Sequence, residues 1–185
     1  MKENKYKDKQ IAREEFILVV GRFFNYKGLD IALETAKKHG NIKYKFIGIG
    51  NDKDRFNELI KSMNLSNIEV IDFLQKKELE KEYLKCQMLL LPSRQECWGL
   101  VVNEAASYGT PIVSTYGSGA AVEFLEDRYS NFLANKNDIQ DLNKTIDRLL
   151  NYDKIDEYSK YLIEKSKEYN IEDSVTKHIN AINNN

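Results

Sequence analysis

Short apolar runs alternate with longer amphipathic stretches along most of this chain. Residues 16–20, Phe-Ile-Leu-Val-Val, form a continuous apolar run that is typical of a central parallel strand buried on both faces. Residues 29–39 place apolar side chains at helical spacing and predict the first helix. The same patterns predict strands at 44–48, 68–73, 87–92, 111–115 and 131–134, and helices at 52–63, 76–86, 100–108, 120–125, 137–150 and from 155 to about 180.

This alternation of strands and helices predicts an α/β protein with a three-layer α/β/α sandwich. Its core is expected to be a Rossmann-like, doubly wound parallel sheet of about six strands, followed by C-terminal helices. The predicted organisation is a flexible leader or linker remnant at 1–15, the Rossmann-like domain at 16–150 and a helical tail at 151–185. In the commonest doubly wound order the first and fourth strands are neighbours, and ligands bind beyond their carboxyl ends.

Composition and charge exclude several classes of protein. The 185 residues fit one large domain, with 42% hydrophobic residues and a formal net charge of −1. This balance provides no strong field for nucleic acid or an anionic membrane, so neither is expected as a partner. No apolar run approaches the roughly 20 residues that span a bilayer, and the polar residues 1–15 do not resemble a signal peptide, so a cytoplasmic location is expected. Cys86 and Cys97 lack the spacing of metal ligands and are interpreted as reduced thiols.

Residues 89–111 hold the strongest concentration of chemistry in the chain. A short apolar run is followed by a polar loop with Arg94 and Glu96, and then by a helix that carries Glu104. Because the two glutamates are eight positions apart, they cannot face each other across one bond like a glycosidase pair. Both can face one extended ligand that lies over the helix N-terminus.

Two cations, Arg22 and Lys27, follow the first predicted strand. If the first and fourth strands are neighbours, these cations converge with Glu96 and Glu104 on one crevice. A crevice with two cations and the exposed N–H groups of a helix start, near residues 100–102, suits a phosphate or diphosphate. No cluster of Asp side chains accompanies them in the sequence, so no metal site is predicted. The alternative is that both cations are ordinary surface charges on a connecting loop.

The two glutamates suit the recognition of hydroxyl groups, because an ionised carboxylate accepts hydrogen bonds and sugars offer many donors. The alternative is that Glu96 pairs with Arg94 while Glu104 is a solvated helix residue. Trp98 either stacks on a ligand ring or anchors its loop in the core, and anchoring is favoured. Residues 117–119, Gly-Ser-Gly, either present backbone N–H groups to a ligand or form a turn.

Other motifs give little sign of catalysis. The Gly-Ile-Gly at 48–50 follows the second strand and lacks a third glycine, so it is rejected as a dinucleotide fingerprint. His39 and His178 are predicted on helix surfaces without partners nearby, and neither is expected to be catalytic. The sequence shows no Ser-His-Asp or Cys-His arrangement.

Taken together, these motifs make residues 16–150 resemble the C-terminal, donor-binding domain of a group 1 retaining glycosyltransferase with the GT-B fold. The specific part is the pair Glu96 and Glu104, spaced as Glu-x7-Glu within Glu-Cys-Trp-Gly-Leu and Glu-Ala. The match is completed by Gly-Arg at 21–22, Lys-Gly at 27–28, Gly-Ile-Gly at 48–50, Leu-Pro-Ser at 91–93 and Gly-Thr-Pro-Ile-Val at 109–113.

The resemblance implies a catalytic set in which Arg22 and Lys27 hold the diphosphate of a nucleoside-diphosphate sugar and Glu96 contacts its sugar. It implies that Glu104 binds the ribose hydroxyls and that the base lies near residues 73–78. This donor is a substrate, and neither a cofactor nor a metal is implied. The remaining substrate-binding residues are expected at the helix start, after the third strand and after the fifth strand, namely Gly99, Leu100, Val101, Phe73, Leu74, Glu78 and Gly119.

The chain departs from the family's pattern at a few positions. Where the family has Gly-Gly before Pro-Glu, this chain has Gly-Ala at 119–120 and Val-Glu at 122–123, and Asn131 replaces a glycine before the sixth strand. These changes remove no charged group, so the donor site is expected to persist while the identity of the sugar stays open.

The resemblance also implies a partner that these residues do not supply, the N-terminal domain that binds the acceptor. The chain is therefore interpreted as the donor-binding half of a hexosyltransferase-type enzyme in polysaccharide or glycolipid assembly, inactive alone. The full-length enzyme could associate peripherally with a membrane. Residues 155–180 are then expected to be poorly ordered or to pack on a neighbouring chain. The alternatives are half of a nucleotide-sugar epimerase or a non-catalytic nucleotide-binding module.

Overall fold

The order of elements in the computed structural model, which describes residues 13–169, follows the predicted alternation of strands and helices. None of the helices in this range is both long and apolar enough to cross a membrane. The strands are β1 Glu14–Val20, β2 Lys43–Ile47, β3 Ile68–Ile71, β4 Cys86–Leu91, β5 Ile112–Thr115 and β6 Leu133–Ala134. The α-helices in the described range are α1 Leu29–Lys38, α2 Lys53–Ser62, α3 Lys76–Lys85, α4 Leu100–Ser107, α5 Gly119–Tyr129, α6 Ile139–Leu150 and α7 Ile155–Lys167.

The six strands form one parallel sheet in the order β3-β2-β1-β4-β5-β6. β1 pairs with β2 on one side and with β4 on the other, where Ile17 lies opposite Met88 and Leu18 opposite Leu89. The predicted α/β, Rossmann-like, doubly wound sheet is therefore confirmed, with its switch point between β1 and β4. The carboxyl ends of these two strands lie side by side.

The central strands are buried on both faces. Residues 16–20 of β1 are at most 9% exposed, and Met88 to Leu91 of β4 are at most 1% exposed. On one face α1 packs on α6, and on the other α4 packs on α5 and α7. Burial of each large apolar side chain contributes about 1.5–3 kcal/mol, so this doubly covered centre supplies much of the stabilisation. It also explains why β1 and β4 are uninterrupted apolar runs in the sequence.

Some predicted boundaries shift because local hydrogen bonds extend or shorten an element. β1 begins at Glu14, so the predicted leader 1–15 is too long, and the Arg13 guanidinium donates to the carbonyl oxygen of Gly109 at 2.7 Å. Residues 1–12 lie outside the described range. α5 begins after Ser118, whose hydroxyl accepts from the N–H of Ala121, and it continues past the predicted end at 125. β6 is shorter than predicted because residues 130–132 form a 3-10 turn.

The expectation for residues 155–180 is wrong for the part that the structure describes. α7 packs on α4 of the same chain, with Tyr158 and Leu162 fully buried. The Tyr158 hydroxyl donates to the carbonyl oxygen of Ile112 in β5 at 2.8 Å. α7 therefore completes the core of this domain and needs no neighbouring chain. Residues 170–180 lie outside the described range.

His39 is buried and partnered, so its predicted place on a helix surface is wrong. It is 6% exposed, and its Nδ1 lies 2.9 Å from the carbonyl oxygen of Thr35. Its Nε2 lies 2.9 Å from Asp147 Oδ1 in α6, and Lys38 donates to Asp147 Oδ2 at 2.6 Å. The partner is 108 positions away, so the sequence could not show it. His178 lies outside the described range.

The Asp147 carboxylate is expected to make the stability of this junction between α1 and α6 depend on pH. The hydrogen bond from Lys38 lowers the pKa of Asp147, and the hydrogen bond to His39 lowers it further. Desolvation acts in the opposite direction but is outweighed. Because the pKa of Asp147 is lower in the folded state than in the unfolded state, where it is about 3.9, the ionised carboxylate stabilises the fold above about pH 3.9. That contribution is lost as the pH falls through the pKa of the folded state. Asp147→Asn is expected to lower the free energy of unfolding by less than about 1 kcal/mol at neutral pH, the range of exposed pairs.

Urea unfolding at pH 7 and at about pH 3 checks this, with a smaller effect of Asp147→Asn expected in acid. The control is Asp153→Asn, because Asp153 is exposed and makes no ion pair with any residue from 13 to 169. An effect of Asp147→Asn that is equal at both pH values would contradict the assignment.

Candidate functional site

Loops that follow β1, β4 and β5 meet at the carboxyl edge of the sheet, and glycines let their backbones touch. A Cβ on Gly28, which has φ +68°, would lie 2.1 Å from the carbonyl oxygen of Pro92. A Cβ on Gly117 would lie 2.0 Å from the carbonyl oxygen of Ser93. A Cβ does not fit at these distances, so the three loops can approach this closely only with glycine at both positions.

The closed loops bring together Lys27 and Glu96, which lie 69 positions apart in the sequence. The Lys27 ammonium donates to Glu96 Oε1, and the two side chains are only 16% and 13% exposed. The Ser93 hydroxyl donates to Glu96 Oε2 at 2.9 Å. The structure therefore places this cation and this carboxylate in one crevice, where the predicted strand order put them.

The backbone of Glu96 is held by the loop after β5. Its N–H donates to the carbonyl oxygen of Gly117 at 2.7 Å, and its own carbonyl oxygen accepts from the N–H of Gly119 at 3.2 Å. The N–H groups of Gly117 and Ser118 are taken by Thr115 Oγ1 and the Thr115 carbonyl oxygen. Residues 117–119 therefore form a turn that braces Glu96. Of the two alternatives for this segment, the structure favours the turn, because all three N–H groups already have acceptors. A contact of Gly119 with the substrate stays a prediction.

Arg94 pairs with Asp30, so the alternative in which it pairs with Glu96 is wrong. Its guanidinium donates to both Asp30 carboxylate oxygens, at 2.8 and 2.6 Å, and to the carbonyl oxygen of Asn25 at 2.6 Å. Its N–H donates to the carbonyl oxygen of Tyr26 at 2.8 Å. Arg94 thus joins the loop of Glu96 to the loop of Lys27. This structural role has no signal in the sequence, because Asp30 looks like an ordinary acidic residue in the first turn of a helix.

Arg22 lies at the same edge but is not drawn into the Lys27–Glu96 pair. Its side chain is exposed and lies beside Gly50 in the loop after β2. Within residues 13–169 it makes no ion pair. The structure therefore brings one of the two predicted cations to Glu96 and leaves the other free at the rim.

A cleft of about 710 Å³ opens beside Lys27 and Glu96 at the start of α4. The helix begins after Gly99, whose φ is +105°, and no side chain caps its first N–H groups. An uncapped helix N-terminus beside a cation is favourable for an anion. The cleft is lined by Tyr26, Lys27, Gln95, Glu96, Cys97, Trp98, Gly99, Leu100 and Val101, which include the predicted Gly99, Leu100 and Val101.

Trp98 is anchored, as favoured from the sequence. Its Nε1 donates to Asn103 Oδ1 at 2.8 Å, and its ring packs against the core and against Tyr169, with ring centroids 5.6 Å apart. This anchoring fixes the loop between Glu96 and α4.

Glu104 lies one helical turn after Leu100 on the same face of α4, because the two are four residues apart. Its side chain is exposed, but Oε2 accepts from the buried Tyr83 hydroxyl of α3 at 2.9 Å. Burial and then the Glu104 carboxylate raise the pKa of Tyr83 above its ordinary value, so the phenol remains a donor. The alternative of an unpartnered, solvated Glu104 is therefore wrong. Tyr83 had no sequence signal beyond its apolar position in α3.

The segment after β3 offers a contact surface at the far side of the edge. Phe73 is 71% exposed, and Leu74 is partly buried against the core. Glu78 accepts from the N–H of Gln75 at 3.0 Å and so caps α3. A structural role accounts for Glu78, whereas Phe73 remains available to a ligand.

The described part of the chain contains no group of three or more His, Cys, Asp or Glu side chains that could hold a metal ion. Cys86 and Cys97 are both free, the first buried and the second exposed. Among the described residues at this edge, positive charge is carried by Lys27, Arg22 and the start of α4.

Gly117→Ala is expected to destabilise the protein and to loosen Glu96. The new Cβ would lie 2.0 Å from the Ser93 carbonyl oxygen and 2.8 Å from that of Arg94, so backbone must move, at a cost of about 1–3 kcal/mol. The matched control is Gly40→Ala, where the nearest atom is 3.9 Å from the new Cβ. Denaturant unfolding measures both variants, and equal stabilities would contradict the close approach of these loops.

Residues 1–175 match the family described as glycosyl transferases group 1. Among curated relatives, an uncharacterized glycosyltransferase of Methanocaldococcus jannaschii is 33% identical over 154 residues, which cover 83% of this chain and 42% of that protein. The chain spans 42%, 39% and 38% of the length of three curated relatives that it matches, which is less than half in each.

Solved structures show the same fold. The C-terminal domain of LpcC, a group 1 family glycosyl transferase from Francisella tularensis, has a TM-score of 0.72 at 23% identity and covers 90% of this chain and 91% of that domain. TarM of S. aureus, solved in complex with UDP, has a TM-score of 0.79 at 24% identity and covers 93% of this chain and 36% of TarM. The chain therefore belongs to the group 1 glycosyltransferases, and its fold is that of the C-terminal domain of a GT-B glycosyltransferase.

Proposed function

We propose that this chain binds a nucleoside-diphosphate sugar in the cleft beyond β1 and β4, as the donor half of a retaining glycosyltransferase. The observation that carries the proposal is the meeting of Lys27 and Glu96 at the uncapped start of α4. A cation and a helix N-terminus suit the diphosphate, and a carboxylate beside them suits the hydroxyls of the attached sugar. Membership of the family supports the class of reaction.

Transfer breaks the bond between the anomeric carbon and a diphosphate oxygen, and the electron pair stays on the diphosphate. The acceptor hydroxyl oxygen forms the new bond to the anomeric carbon, and its proton passes to the departing diphosphate. Lys27 and the first N–H groups of α4 would stabilise that growing charge, because fixed donors need no reorganisation during reaction. Arg22 would be the second cation. It is exposed and has no ion pair within residues 13–169, so a change of rotamer costs it no existing partner.

Glu96 would bind the sugar while the Lys27 ammonium turns toward the diphosphate. Ser93 and the turn at 117–119 keep the Glu96 carboxylate in place when Lys27 is shared with the ligand. The same ion pair neutralises two largely buried charges that water reaches poorly. The donor would therefore replace an existing charge partner on each side of the pair.

The exposed apolar side chains support a second domain over this edge. Among the described residues, the large apolar side chains that are exposed near the ends of the strands are Phe24, Tyr26, Phe73, Leu100 and Tyr116. An apolar surface of this kind usually marks an interaction site. We extend the proposal to an acceptor-binding N-terminal domain that covers it in a longer enzyme of polysaccharide or glycolipid assembly. The cytoplasmic location and peripheral membrane association stay predictions.

The isolated chain is expected to bind a nucleoside diphosphate without a metal and to transfer no sugar. Lys27, Arg22 and α4 supply the positive charge, so UDP, GDP or ADP should raise the melting temperature in the presence of EDTA. Transfer also needs an acceptor hydroxyl held at the anomeric carbon, and such positioning can account for roughly 7–11 kcal/mol of the barrier. A thermal-shift panel and a labelled-donor assay measure the two outcomes.

Binding that disappears in EDTA and returns with Mg²⁺ would show that a metal carries the diphosphate. Loss of binding to all three nucleotides would overturn the proposed donor site. Turnover by the isolated chain at roughly 1 s⁻¹ or more, ordinary for a complete enzyme, would show that no second domain is needed.

Glu96 and Glu104 are expected to affect different parts of the donor. Glu104→Ala should weaken the free nucleoside diphosphate by about 1.5–3 kcal/mol, the range of hydrogen bonds to a charged group. Glu96→Ala should weaken the nucleotide sugar more than the free nucleotide, because its partner is the sugar. Calorimetry with both ligands measures this, and the exposed Glu126→Ala on α5 is the control. Equal losses for both ligands in both variants would contradict these roles.

A further inference from the structure

A buried phenol on α3 holds an exposed carboxylate on α4. The Tyr83 side chain is 1% exposed, and its hydroxyl donates to Glu104 Oε2 at 2.9 Å. The other carboxylate oxygen, Oε1, makes no hydrogen bond to any residue from 13 to 169. One oxygen of Glu104 is therefore fixed by the core while the other remains open to a ligand.

Tyr83 is itself held on both sides. Its ring stacks on Tyr108, with ring centroids 6.1 Å apart and an interplanar angle of 10°. Its carbonyl oxygen accepts from Thr110 Oγ1 at 2.6 Å. Tyr108 and Thr110 follow the end of α4, so the donor of the hydrogen bond and the helix that carries Glu104 are packed as one unit. The hydroxyl position is thus set by the core and does not depend on a flexible side chain.

A glutamate on an exposed helix surface samples several rotamers, and a ligand that binds it must first select one. The hydrogen bond from Tyr83 makes that selection before the ligand arrives. Burial, and then the Glu104 carboxylate, also raise the pKa of Tyr83, so the protonated phenol donates toward Glu104. Such a prepared acceptor suits a neutral hydroxyl donor such as that of a ribose.

We propose that Tyr83 is a positioning residue that prepares the Glu104 carboxylate to accept the ribose hydroxyls of the donor nucleotide. This inference rests on the proposed function, because it needs a nucleoside diphosphate in the cleft. Tyr83 does not touch the ligand in this arrangement. It acts only through Glu104, and that dependence makes the role separable from a contribution to packing.

The test compares Tyr83→Phe with the control Tyr158→Phe. The first removes only the hydroxyl and keeps the ring that stacks on Tyr108, so folding is expected to persist. The second removes an equally buried hydroxyl that donates to the Ile112 carbonyl oxygen, away from Glu104. The probes are whichever of UDP, GDP and ADP the wild-type chain binds most tightly, and its 2′,3′-dideoxy counterpart. Affinities for both probes are measured by calorimetry.

Tyr83→Phe is expected to weaken the ribonucleotide about 3- to 10-fold, the range of one hydrogen bond, and to leave the dideoxynucleotide unchanged. Tyr158→Phe should leave the ratio of the two affinities unchanged. In the Glu104→Ala background, Tyr83→Phe should have no further effect, since its route to the ligand is gone.

Equal weakening of both probes by Tyr83→Phe, or an undiminished effect in the Glu104→Ala background, would overturn the positioning role and leave Tyr83 as a packing residue. A wild-type chain that binds the ribonucleotide and the dideoxynucleotide equally would overturn the ribose contact of Glu104, and this inference with it, while the donor site stands. Failure of the wild-type chain to bind UDP, GDP or ADP would instead overturn the proposed function.

Discussion

The close approach of backbones beyond β1, β4 and β5 is the constraint on which the rest of the site depends. Gly28 lies against Pro92, and Gly117 lies against Ser93, at distances that leave no room for a Cβ. This contact sets where the loop of Lys27 ends and where the loop of Glu96 begins. The doubly covered parallel sheet below it supplies a rigid base, since β1 and β4 are adjacent and fully packed.

The ion pair of Lys27 and Glu96 depends on this close approach of the loops. Two opposite charges in a poorly hydrated crevice stabilise each other, and the proposed donor would offer a phosphate to Lys27 and a hydroxyl to Glu96. Glu96 is also held independently of Lys27, by the Ser93 hydroxyl and by the turn at 117–119. Arg94 strengthens the same junction through its fork to Asp30. These contacts fix the relative positions of Lys27 and Glu96 at the start of α4.

Glu104, the second carboxylate, is also held by a residue that is distant in the sequence. Glu104 is exposed, but its orientation is coupled through Tyr83 to the packing between α3 and the end of α4. His39 and Asp147 similarly join α1 to α6 at the opposite face of the sheet. In both cases a polar group within the core connects two helices that cover the sheet. The stability of the layers and the placement of polar groups therefore depend on the same contacts.

The sequence by itself determined the α/β class and, on the commonest doubly wound strand order, predicted that β1 and β4 are neighbours and that Lys27 meets Glu96. Apolar runs and helical periodicity are local, and the handedness of crossovers converts them into one favoured topology. Only the tertiary structure decided that Arg94 binds Asp30, that Tyr83 holds Glu104, that His39 is buried and that α7 packs on this chain. These partners lie 21 to 108 positions apart, and a hydrogen bond between distant side chains leaves no periodic pattern in a sequence. Local pattern fixes which elements form, whereas packing of those elements chooses which polar groups meet.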